Sequence, residues 1–128
     1  MEVLKIAGNR TIPTMHFDAS NNVFEIGGRS CPEDVAKFYQ PLFEWLDEYR
    51  KSPREKTVFD FKLIYFNTAS AKILLNLMQK IETIAKDGHE VLIRWHFPDD
   101  DEDLEEAGED YADLIEVPFE KIAYSLDD

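Results

Sequence analysis

The sequence predicts an α/β fold: a single domain spanning 1–128, with a mixed sheet of four or five strands and about three main helices. Three observations carry that prediction. Residues 57–66 are rich in Val, Phe, Ile and Tyr and alternate with period two, the pattern of a strand. At Asn67 the pattern changes to a polar cap and then to helical spacing, which Gly88 closes. Residues 89–97 alternate again, so strand, helix and strand follow in direct succession and predict a βαβ unit with parallel strands.

The elements follow in order. Around Val3, Leu4 and Ile6 the first twelve residues allow either a short strand or an ordered arm. Residues 13–18 and 23–27 read as a hairpin joined by Ala-Ser-Asn-Asn, and Gly27 and Gly28 end its second strand. Ser30-Cys31-Pro32-Glu33 fits a capping box, with Ser30 as N-cap and Glu33 reaching back. Val35, Phe38, Tyr39, Leu42, Leu46 and Tyr49 then mark one helical face, and Pro41 within it predicts a kink near 38–40.

In the central strand Phe59, Phe61, Leu63 and Tyr65 share a face. The other face carries Asp60 and Lys62, then Ile64 and Phe66, so the strand is expected to be wet at its start and buried on both sides at its end. The following helix shows Ala71, Leu74, Leu75, Met78, Ile81 and Ala85 at helical spacing. Val91, Ile93, Trp95 and Phe97 alternate with Leu92, Arg94 and His96 in the next strand. A run of carboxylates then leads into Leu104, Ala107, Tyr111, Leu114 and Ile115, where the helix dipole favours acidic residues at the start. Residues 118–124 read as a last short strand.

A chain of 128 residues, 44% hydrophobic and with nine Phe, has material for one core without disulfides or metal. The lone Cys31 has no internal partner, which fits a reducing compartment, and the N-terminus lacks the cationic and apolar regions of a signal peptide. A cytoplasmic location and no membrane insertion are expected. A formal net charge of -13 argues against nucleic acid as a partner, because the long-range field repels it, and favours a basic protein surface.

Residues that could carry chemistry are few. The acidic run 99–106 fails the calcium-loop template, since Leu104 occupies the place where the turn needs Gly. His16, His89 and His96 have no Cys or carboxylate at ligand spacing, and nothing identifies a base to serve Cys31. No metal, cofactor or catalytic residue is predicted. Thr68 differs because of its setting. Asn67, Thr68 and Ser70 are all types that cap a helix, and a hydroxyl at that place faces unpaired amides and the positive end of the dipole. Thr68 reads either as a cap alone or as a position where a phosphate is tolerated.

Four blocks carry a resemblance: EIGGRS at 25–30, PEDVAKFYQPLFEWLDEY at 32–49, FKLIYFNTASAKILL at 61–75 and DDEDLEEAGEDYADLIEVPFE at 100–120. Together they closely resemble the SiaC family of bacterial regulatory phosphoproteins across nearly the whole chain. The resemblance implies a fold similar to the STAS domains of anti-sigma factor antagonists, with a phosphoacceptor where the helix after the central strand begins. It assigns that acceptor to Thr68, in the Asn-Thr motif. It also implies a partner kinase, a PP2C-type phosphatase, and a diguanylate cyclase that the unphosphorylated form binds and activates. Cyclic-di-GMP output and biofilm formation would follow. Family members often carry Ser where this chain has Ala69 and an aromatic where it has Cys31, and neither departure removes the acceptor.

The resulting expectation is a non-catalytic switch. Asn67, Ala69, Ser70 and Lys72 dock on the cyclase, and phosphate on Thr68 blocks the contact by charge and desolvation. The rival reading is a small-molecule sensor or enzyme using the strand ends near His96 and the acidic helix, which requires a polar pocket there.

Overall fold

A computed structural model of the chain describes residues 1–126. Six strands form one sheet: β1 (Leu4–Ile6), β2 (Thr14–Asp18), β3 (Val23–Ser30), β4 (Lys56–Phe66), β5 (Glu90–Pro98) and β6 (Phe119–Tyr124). Their spatial order is β1-β2-β3-β4-β5-β6, antiparallel through β3 and parallel from β3 to β6. The helices α1 (Val35–Lys51), α2 (Thr68–Lys86) and α3 (Glu102–Leu114) are the three parallel crossovers. The sheet thus has six strands where four or five were expected. The first residues resolve as a strand because Leu4–Ile6 pairs in register with Met15, His16 and Phe17.

The core lies between one sheet face and the helix layer. Phe24 packs on Tyr49 of α1 with ring centroids 5.1 Å apart, and Trp95 packs on Tyr111 of α3 at 5.4 Å. Leu74, Leu77, Met78, Ile81 and Ile84 of α2 are buried between them. The opposite face bears Asp60, Lys62, Arg94 and His96, where ion pairs take the place of helix packing.

Two local expectations change. Ser30 does not cap α1: it is the last residue of β3 and fully buried, and Asp34 caps the helix by accepting from the Lys37 amide at 3.2 Å. The helix continues through Pro41 to Lys51.

The end of β4 is not buried on both sides. Opposite β3 the register steps from Gly28↔Leu63 to Arg29↔Tyr65, leaving Ile64 as an extra residue. That bulge reverses the alternation. Tyr65 turns outward to meet the Arg29 guanidinium, 4.7 Å from its ring centroid, while Phe66 turns inward against Trp95. Ile64 and Tyr65 are consequently 50% and 44% exposed.

Candidate functional site

The junction of β4 and α2 is set by Asn67. Its extended backbone (φ −84°, ψ 177°) ends the strand, and its side-chain oxygen accepts from the Ser70 amide at 2.9 Å. Its own amide donates to the Ser30 carbonyl at 3.2 Å, tying the turn to β3. Asn67 is therefore the cap, and Thr68 is the first helical residue. Thr68 is exposed, and among the described residues its hydroxyl has no hydrogen-bond partner.

Ser70 occupies the opposite environment. It is fully buried, its hydroxyl accepts from Ser30 at 2.9 Å, and the Ser30 hydroxyl in turn lies 2.7 Å from the Tyr39 phenol. Burial pushes the Tyr39 phenol up to about 12, so it remains a neutral member of this chain. The expectation that Ser70 contacts a partner is thereby corrected: it holds the turn from beneath. Asn67 is half-buried, and Ala69 and Lys72 are exposed beside Thr68.

Beside this turn lies a shallow hollow of about 400 Å3 between α2 and α3. Thr68, Ala71, Lys72 and Leu75 border it on one side and Ala107, Asp110, Tyr111 and Leu114 on the other, with Phe66 at its floor. Tyr111 pins the two helices together there by donating to the Ala71 carbonyl at 2.7 Å. A second hollow of about 350 Å3 continues past Phe66 and Ala107 to Ile64, Tyr65 and Leu104, with Asp101 and Asp103 at its margin. With Leu114 61% exposed, the surface around Thr68 is apolar with an acidic rim. Sequence reasoning missed Ile64, Tyr65 and Leu114 as surface residues, assigning all three to buried faces.

The rival location is organised differently. On the open sheet face one oxygen of Asp60 accepts from Arg94 Nε and lies 2.8 Å from His96 Nε2. Burial alone would raise the Asp60 carboxyl, but the bonds and charges of Arg94 and His96 outweigh it and hold the group below the usual carboxylate range. His96 is thus engaged by its contact with Asp60, beside the Asp60–Arg94 ion pair. A hollow of about 900 Å3 over β1–β3 and another of about 730 Å3 beside the N-terminal residues and Trp45 are lined by neither His96 nor the acidic start of α3.

The sequence profile of SiaC family regulatory phosphoproteins matches residues 6–124. The chain belongs to the SiaC family. Its fold is that of solved SiaC from Pseudomonas aeruginosa, with a TM-score of 0.88 at 23% identity, covering 97% of this chain and 100% of that one. The solved complex of the diguanylate cyclase SiaD with its activator SiaC, also from Pseudomonas aeruginosa, contains a chain that matches with a TM-score of 0.87 at 24% identity, covering 94% of this chain and 99% of that one. A protein of Pseudomonas aeruginosa strain UCBPP-PA14, described as uncharacterised, is 24% identical over 119 residues, 93% of this chain and 94% of its own. Among the described residues of this SiaC family chain, no helix is long and apolar enough to cross a membrane.

Proposed function

We propose that this chain is a phosphorylation-controlled, non-catalytic activator of a diguanylate cyclase in the cytoplasm. The unphosphorylated form docks on the cyclase through the apolar surface beside the start of α2, with Ala69, Lys72 and the outer edge of Asn67 in the contact. A partner kinase transfers a phosphoryl group to the Thr68 hydroxyl. The Oγ–P bond forms, the bond from phosphorus to the nucleotide leaving group breaks, and the hydroxyl proton passes to a base supplied by the kinase. A PP2C-type phosphatase hydrolyses the ester and restores docking, so cyclic-di-GMP output and biofilm formation follow the state of one residue.

The observation that carries this reading is the Thr68 hydroxyl itself. It is exposed and, among the described residues, unbonded, at a fixed strand-to-helix junction, on the wall of an apolar hollow. Modification adds about 1.5 to 2 negative charges at pH 7. Placed there, that charge would have to be desolvated for an apolar partner surface to close over it.

The test is Thr68→Ala. The variant binds and activates the cyclase in the presence of active kinase, and intact-mass analysis shows no added phosphate, whereas the wild type gains one and releases the cyclase. Labelling of the variant to the wild-type extent would remove Thr68 as the acceptor.

A further inference from the structure

Lys72 lies one helical turn beyond Thr68, and both side chains border the hollow between α2 and α3. Lys51, Lys56, Lys62 and Lys121 each sit on a carboxylate, as an acidic chain makes easy. The Lys72 ammonium is exposed and, among the described residues, has neither an ion pair nor a hydrogen bond. Asp110 borders the same hollow from α3 yet forms no ion pair with it. An acidic group followed four residues later by lysine is the favourable order for a helical ion pair. The chain therefore holds an uncommitted cation at the spacing where a charge on Thr68 would arrive.

We propose that Lys72 is the built-in counter-ion of phosphorylated Thr68, folding the phosphate back along α2 and keeping it over the hollow. This rests on Thr68 being the acceptor. The cap adds to it. Asn67 takes the Ser70 amide, which leaves the Thr68 and Ala69 amides without partners among the described residues, close to where the phosphate oxygens would lie. Without the lysine, the phosphate would face Asp110 across the hollow as one like charge against another, and rotation about χ1 would let it swing aside. Held by Lys72, it stays where a docking surface must pass.

The test needs no kinase. Phosphothreonine is installed at position 68 during synthesis of the full chain, and its second ionisation is followed by 31P NMR in the wild type, Lys72→Gln and Lys86→Gln. The last removes the same charge at the far end of α2, where it pairs with Glu82. The counter-ion role raises the phosphate pKa in Lys72→Gln by ~0.15 to 0.4 unit and leaves it near the wild-type value in Lys86→Gln. Equal titration in all three proteins overturns the proposal. Because the phosphate is installed chemically, that result is independent of whether a kinase labels Thr68.

Discussion

Thr68 and Ser70 are both small hydroxyl residues in the first turn of α2, yet one is exposed and, among the described residues, unbonded, and the other wholly enclosed. The difference sets what each substitution costs. Removing the Ser70 hydroxyl leaves Ser30 and Tyr39 to satisfy each other with one buried O–H left without an acceptor, so Ser70→Ala is expected to destabilise the fold by ~1–3 kcal/mol. Thr68→Ala, touching no network, should stay within ~0.5 kcal/mol of wild type. Urea unfolding with an unchanged m-value separates the two, and equal midpoints would refute the buried hydroxyl chain as a stabilising unit. The sequence held a signal for this contrast. Ser70 lies four residues before Leu74 and seven before Leu77, so extending the buried stripe backward reaches Ser70 and passes Thr68 by. Ser30 was harder to read, because its capping-box spacing is real while its burial depends on β3 running on past the glycine pair.

The elements were legible wherever periodicity within one segment decides the structure, and illegible where a second segment does. Phe59, Phe61 and Leu63 fall on the core face as alternation requires, but the Ile64 bulge belongs to the pairing of β4 with β3, and a single strand's pattern cannot show it. β1 likewise exists through its register with β2. A similar dependence governs Gly108 in α3, a helical glycine whose replacement by Ala would ordinarily stabilise by about 1 kcal/mol. Here an added Cβ would lie 2.5 Å from Trp95 Cδ1 and 2.9 Å from its Nε1, and Trp95 is fixed by donating to the Leu104 carbonyl. Gly108→Ala is therefore expected to destabilise by ~1–3 kcal/mol and to perturb Trp95 fluorescence. A thermal melt showing a gain in stability would mean that α3 slides freely on the sheet, and with it the wall of the hollow beside Thr68.

At the scale of the whole molecule, sheet order follows chain order, each parallel crossover is a helix, and all three helices cover one face. The C-terminal end of β4 therefore meets the start of α2 and one flank of α3, which is where the exposed Ile64, Tyr65 and Leu114 and the acidic groups Asp101, Asp103 and Asp110 come together. The net charge of -13 was readable from composition, while the placing of Asp101, Asp103 and Asp110 beside an apolar surface required the fold. The combination predicts two separable contributions to partner binding. Apolar contact is short-ranged and acts mainly on how long the complex lasts, whereas the charge acts at a distance and accelerates encounter with a basic surface. Raising salt from roughly 50 mM to roughly 500 mM shortens the screening length to a few ångströms. The association rate with the proposed cyclase partner should then fall by about tenfold, with the dissociation rate changing far less. Stopped-flow or surface binding kinetics read both rates. An association rate flat across that range would show that the partner surface proposed to meet the acidic rim is not basic, and the acidic charge would then bear on solubility alone.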